Sequence, residues 1–166
     1  IMTASPAKED PDALGAVQRL LQQGEVAKAL ETLNGLADAA QSSVMGQYMR
    51  GVCLRLMGEF ANAESALRQL VEGNPSYGRA FQELGHLYRD ANMPTEALNA
   101  YATACHLNPG LKASWAAQRD LIGKGSPERA AQINQRLQWL ESLPAPLLAS
   151  WDLLHEGKPV SYTHLR

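Results

Sequence analysis

The chain has 166 residues, enough for one domain or a short array of repeats, with hydrophobic residues at 45%, aromatics at only 6% and charged residues at 19%. Lys and Arg number 15 against 17 Asp and Glu, mixed along the chain for a formal net charge of −2, so no basic block marks a nucleic-acid footprint and no basic amphipathic run marks a membrane surface. No apolar stretch approaches the roughly 18 residues of a membrane span, and alanine and leucine dominate over β-branched residues, which favours close-packed helices over strands.

In chain order, residues 1–9, opening on Ile1, lack the charged start and apolar run of a secretory signal and read as a disordered leader. Asp10 is placed to cap a first helix, with Pro11 in its first turn. From there one phrase recurs as "GEVAKAL", "GEFANAE" and "MPTEALNAY". Gly24, Gly58, Asn92 and Ser126 follow one another at a step of 34 residues, and Ala29, Ala63, Ala97 and Ala131 keep the same step, which predicts stacked helical hairpins.

The first hairpin, about 10–40, keeps Leu20, Gly24, Ala29, Leu33 and Leu36 at the repeated positions. The second, about 44–75, keeps Gly51, Leu54, Ala63, Leu67 and Leu70, but carries Gln47 and Arg50 where an aromatic and a leucine are expected. The third, about 78–109, is the clearest: Phe81, Leu84 and Tyr88 recur at three and four and so share one helix face. Gly85 lies on the neighbouring stripe, where a missing side chain lets the partner helix approach; since glycine costs about 1 kcal/mol in a helix interior, close packing is expected to compensate. In the second half of this hairpin Ala97 and Ala104 are small, Tyr101 between them is large, and the Asn108–Pro109 pair stops the helix.

The fourth hairpin, about 111–143, keeps Trp115, Ile122 and Ala131. Gln135 and Gln138 stand where apolar residues are expected, with Ile133, Leu137 and Leu140 available in a shifted register, so this hairpin reads as degenerate or capping. Ser126, Pro127 and Glu128 form a strong start for its second helix. A last helix is expected over about 147–156 and ended by Gly157, with Trp139 and Trp151 sealing the apolar face; "KPVSYTHLR" supplies no partner helix, so the array is expected to stop in mid-hairpin. The resulting division is a leader (1–9), a repeat array (10–142), a terminal capping or linker helix (143–157) and a truncated or disordered tail (158–166).

The order Phe81, Leu84–Gly85, Tyr88, then Ala97, Tyr101 and Pro109, resembles the tetratricopeptide repeat, and the resemblance extends outward over residues 10–142. It implies an all-α, right-handed α-solenoid of about four stacked antiparallel hairpins plus a truncated terminal helix. It also implies a non-catalytic interaction module that holds a peptide or protein segment against its concave side, lined by the first helix of each hairpin. On this chain the lining would comprise Gln18, Tyr48, Val52, Arg55, Arg79, Gln82, His86, Arg89, Asp120 and Lys124. Arg55, Arg79, Arg89 and Lys124 would give it a positive tilt suited to an acidic or extended segment. Family members that bind heat-shock chaperone tails clamp a terminal carboxylate with lysines and asparagines; here the matching places hold Leu14, Gln18, Glu83, Ala113 and Ala117, so that role is disfavoured. The open C-terminal end is a candidate surface for self-association.

The stretch "SLPAPLLASWDLLHEGK" is similar to the linker of bacterial proteins that join such repeats to a sulfotransferase domain. That resemblance implies, as an alternative, an N-terminal repeat domain whose catalytic partner and sulfonate-donor site lie beyond Arg166. Within the chain no catalytic constellation, metal set or cofactor site is expected. "GKGS" at 123–126 lacks the spacing of a phosphate loop and falls at a predicted turn; His86, His106, His155 and His164 pair with no other histidine or cysteine at three or four residues. Cys53 and Cys105 fall on different helices and read as small apolar fillers in a reducing, cytoplasmic setting.

Overall fold

The computed structural model describes residues 12–155. The predicted leader and tail, and the predicted cap at Asp10 with Pro11, lie outside the described residues. Among the described residues every regular element is helical: α1 (Ala13–Gln22), α2 (Val26–Asn34), α3 (Asp38–Ser42), α4 (Val44–Leu56), α5 (Phe60–Gly73), α6 (Gly78–Asp90), α7 (Pro94–Leu107), α8 (Lys112–Ile122), α9 (Pro127–Ser142) and α10 (Ala145–His155), with one 3-10 turn at Gly123–Gly125. The chain divides into two compact units, Ile1–Leu70 and Val71–Arg166.

The first three hairpins turn in the same way. Gly24, Gly58 and Asn92 all have positive φ, at 77°, 79° and 58°. Each turn closes with two backbone hydrogen bonds of matching type. Gly24 N–H donates to Leu21 O (3.1 Å) and Glu25 N–H to Leu20 O (2.9 Å); Gly58 and Glu59 donate to Arg55 and Leu54 (both 2.9 Å); Asn92 and Met93 donate to Arg89 (3.0 Å) and Tyr88 (2.7 Å). This is the Schellman arrangement, in which a left-handed residue satisfies the last carbonyls of a helix. Asparagine is the side-chain-bearing residue best suited to take glycine's place there. The 34-residue step breaks at the fourth turn, where the positive φ falls on Gly123 (53°) and Ser126 has a negative φ (−148°). Ser126 is the N-cap of α9 with Pro127 and Glu128 behind it as expected, but its side chain makes no capping bond.

The seam inside the second and third hairpins explains the glycines. A Cβ on Gly85 would lie 2.6 Å from Tyr101 Cδ1, and one on Gly51 would lie 2.7 Å from Leu67 Cγ. Both distances are below any real contact, so each glycine is the space that a large residue of the second helix occupies. In the first hairpin the same two places hold Val17 and Leu33, both fully buried. Ala29, Ala63 and Ala97 are also fully buried, as predicted.

In the N-terminal unit, α1 packs on α2, and α4 on both, around a core of Val17, Ala29, Leu33, Met49 and Cys53. The short α3, unforeseen in the sequence, lies between α2 and α4. Gln41 on α3 donates to the carbonyls of Asn34 (3.0 Å) and Leu36 (2.8 Å), and Arg50 donates to Asn34 Oδ1 (2.6 Å) and Gln41 Oε1 (2.9 Å). Arg50 therefore replaces an apolar contact with hydrogen bonds to the end of α2 and to α3.

In the C-terminal unit, α6 packs on α7, α7 on α8, and α8 on α9. The expectation that Ala131 continues the buried alanine series is corrected: it is exposed, and the shifted set Ile133, Leu137 and Leu140 is buried instead. Arg119, rather than a glycine, stands at the close-approach position of α8 and donates to Asn134 Oδ1 (3.0 Å) on α9. A guanidinium needs room and polar partners, so this hairpin cannot close on the alanine register and turns α9 to another face.

Both cysteines are free thiols in the two cores. Burial pushes Cys53 up to about 11, partly offset by the charge of Arg50, and pushes Cys105 up to about 12, partly offset by a hydrogen bond from Gln118 and by the charge of Arg136. Both thiols stay neutral in the fold beyond the ordinary value of 9.0 at which the unfolded chain ionises. Their contribution to stability is complete below that value and is lost as pH rises from it toward the folded values. Urea midpoints should therefore fall between pH 9 and 11, and Cys105→Ala should flatten the decline; a slope identical to wild type would remove the thiol as its source.

For the seam, Gly85→Ala and Ala97→Leu should each destabilise by about 1–3 kcal/mol through overpacking, read as a lower melting temperature. Arg89→Ala, at an exposed position, should melt with the wild type. An unchanged melting curve for Ala97→Leu would contradict its place in the seam.

Candidate functional site

Packing fixes which side chains of the first helices remain available. In the N-terminal unit, Gln18 on α1 is exposed. Tyr48, Val52 and Arg55 form one half-buried stripe of α4, and Tyr48 leans against the Val17–Leu33–Cys53 core. Gln47, off this stripe, turns back to donate to Ser42 O (2.6 Å).

In the C-terminal unit the α6 residues divide by task. Arg89 is exposed and interacts with the carboxylate of the adjacent Asp90. His86 is half-buried: its Nδ1 and the Tyr101 hydroxyl share a 2.6 Å hydrogen bond, with the rings 5.3 Å apart edge to face. Tyr101 is fully buried, so its hydroxyl needs a partner, and His86 supplies it while keeping one edge toward solvent. Gln82 is 9% exposed and its carbonyl oxygen accepts from Ser114 Oγ (2.7 Å), which ties α6 to α8; Glu83 is likewise buried. Asp120 on α8 is exposed beside Arg119, and of Lys124 only the backbone, in the 3-10 turn, is described.

Arg79 has a different environment. Its guanidinium forms an ion pair with Asp152 of α10, whose other oxygen accepts from Asn108 Nδ2 (2.8 Å). Asn108, almost fully buried, is oriented by Gly110 N–H, which donates to its Oδ1 (3.0 Å). Gly78 allows this approach, since a Cβ there would be 3.1 Å from Asn108 Cβ. Nearby, Trp115 Nε1 donates to Pro109 O (2.8 Å), and Arg136 sits 5.6 Å from the rings of both Trp115 and Trp139. Trp139 meets Trp151 edge to face at 5.6 Å, so the two tryptophans expected at the end of the array do pair. Between α8 and α9 a cavity of about 260 Å³ is lined by Trp115, Gln118, Arg129, Gln132, Ile133 and Arg136, where the fourth hairpin lacks the tight seam of the others.

The sequence reading did not anticipate the Asp152–Asn108 partnership. One signal was available: Asp152 is the only acidic residue in "APLLASWDLLH", an otherwise strongly apolar helix. Among the described residues no group of three or more His, Cys, Asp or Glu side chains could hold a metal ion, and no helix is long and apolar enough to cross a membrane.

Repeated antiparallel hairpins, closed by one turn type and one small-against-large seam, define a helical-repeat protein of the α-solenoid class. The family model described as tetratricopeptide repeat matches residues 14–78 and 57–112, and the chain belongs to that family, whose members are protein–protein interaction modules in kind. Solved structures share the fold. The structure titled "Crystal structure of MamA" is 22% identical with a TM-score of 0.65, covering 80% of this chain and 80% of its own. A MamA double mutant (RS-1) is 20% identical at 0.62, covering 81% and 76%, and MamA residues 41-end from Desulfovibrio magneticus RS-1 is 18% identical at 0.61, covering 82% and 76%. No curated protein matches the chain.

Proposed function

We propose that the chain is a non-catalytic module that binds a peptide or protein segment on the solvent-accessible stripe of its first helices, α1 and α4 in the N-terminal unit, the equivalent stripe of α6 and α8 being available within the C-terminal unit. One observation carries the reading. Gln18, Val52, His86 and Asp120 occupy the same repeated position and all keep access to solvent, whereas the neighbouring seam position is buried in the first three hairpins. Four chemically unrelated side chains at equivalent places mean that packing does not dictate them, and positions left open by packing are available for recognition. Arg55 on α4 and Arg79 and Arg89 on α6, with Lys124 in the turn after α8, suit an acidic or extended partner, and Tyr48 and Gln82 would border it from half-buried and buried places. A cytoplasmic setting, with both buried thiols reduced, belongs to the same reading.

A displayed peptide library selected on the full chain tests it. Tyr48→Ala and Arg55→Ala should weaken the selected peptides by about tenfold or more, as anchors at a peptide interface do. Lys28→Ala and Arg68→Ala, on exposed parts of the second helices, should leave binding unchanged. If the second-helix variants weaken binding and the first-helix variants do not, the binding face is wrong.

The exposed Leu147, Leu153, Leu154 and Trp139 at the C-terminal end support self-association as a second part of the proposal. Light scattering should then report a concentration-dependent mass for the wild type that Leu153→Glu reduces to that of a single chain. Equal masses for the two proteins would remove this part.

A further inference from the structure

Arg79 and Asn108 converge on one carboxylate from two different elements, the first turn of α6 and the end of α7. The construction is more specific than a surface ion pair. Asn108 is 1% exposed, its amide orientation is set by Gly110 N–H, and glycines at 78 and 110 clear the space around it. A buried amide donor that loses its acceptor incurs a desolvation penalty, so the site calls for an anionic oxygen whenever α10 departs. A guanidinium and an amide donating to the two oxygens of one carboxylate is a chemically selective arrangement.

The group now filling the site sits on an element that is weakly held. No residue from Ala145 to Leu154 is buried, and Leu147, Leu153 and Leu154 are more than half exposed. Besides the bonds of Asp152, Trp151 of this helix meets Trp139 edge to face. An apolar helix with a single carboxylate thus lies on its own chain as a peptide ligand would.

We propose that Arg79 and Asn108 form a carboxylate-binding site, that Asp152 of α10 fills it intramolecularly, and that a partner segment with an aspartate or glutamate flanked by apolar residues binds there by displacing α10. The proposal rests on the peptide-binding reading above and adds to it the anchor group of the partner and a built-in competitor. Recognition is of the carboxylate together with its apolar flanks, because Trp151, next to Asp152, meets the Trp139 ring, and Trp115 donates to the carbonyl of Pro109, next to Asn108.

Two measurements on the full chain test it. Hydrogen exchange of the α10 amides should accelerate several-fold in Asp152→Asn and in Arg79→Ala, with the melting temperature of the remaining helices confirming the fold; unchanged exchange in both would overturn the site. A labelled peptide, APLLASWDLLH, should bind the Asp152→Asn chain about tenfold more tightly than the wild type, whose site is filled, because a charge-assisted hydrogen-bonded pair is available only in the variant. A peptide with asparagine in place of its aspartate should lose that gain. Equal binding to the two chains, or indifference to the peptide's carboxylate, would overturn the competition. The library selection, read through Tyr48 and Arg55 in the other unit, would still stand or fall separately.

Discussion

A helix can approach another closely only where one of the two gives up a side chain, and that constraint organises this protein. At Gly85 the missing Cβ is the place of the Tyr101 ring, and at Gly51 it is the place of the Leu67 side chain. The close approach buries Ala63 and Ala97 beside the seam, and fixes which stripe of each first helix faces inward. Glycine costs helix propensity, and the dispersion contacts of a fully buried tyrosine or leucine offset that cost. Once the seam is set, the stripe one residue further along the same helix keeps access to solvent, and there Gln18, Val52, His86 and Asp120 differ in chemistry.

The same constraint shows what happens when it lapses. At the fourth hairpin Arg119 takes the glycine's place; α9 buries Ile133, Leu137 and Leu140 rather than Ala131, and a cavity remains between α8 and α9. At the same point the positive φ leaves its repeated position and falls on Gly123, which opens a 3-10 turn. Loss of the seam and loss of the turn coincide because the turn geometry delivers the second helix at the distance the seam requires. The irregular end of the array carries the features with the most chemistry: a tryptophan pair, an arginine between two indoles and a carboxylate shared by Arg79 and Asn108.

Polar side chains in the interior act as ties between elements. Gln82 with Ser114 connects α6 to α8, His86 satisfies the Tyr101 hydroxyl, and Arg50 with Gln41 fastens α4 and α3 to the end of α2. The Gln82–Ser114 and His86–Tyr101 bonds satisfy groups that burial would otherwise leave costly. His86 and Arg79 were singled out in the sequence for lining a groove, and each also has such a tie. A residue can serve both purposes only when one edge of it stays at the surface, as the half-buried state of both side chains provides.

Helical class, the boundaries of the second, third and fourth hairpins to within about two residues, the turn positions Gly24, Gly58 and Asn92 and the Gly85 close approach were legible from residue order, because a period of 34 residues repeats the same local geometry and each repetition reinforces the others; the first hairpin, expected to reach about residue 40, ends its second helix at Asn34. The degenerate fourth hairpin was legible as such from Gln135 and Gln138, and its shifted register from Ile133, Leu137 and Leu140. Ala131 keeps the step in the sequence but not the burial, because Arg119 at the close-approach position bonds Asn134 and α9 buries Ile133, Leu137 and Leu140 instead. Helix α3 was invisible because its five residues are fastened by Gln41 and Arg50, contacts made with other helices rather than along its own sequence. The carboxylate site joins residues 79, 108 and 152, and no local pattern relates three positions so far apart. The sequence by itself determined what repeats, since periodic residues meet the same neighbours each time; only the tertiary structure decided what happens once, where the array ends and side chains from distant helices meet without a rule of spacing.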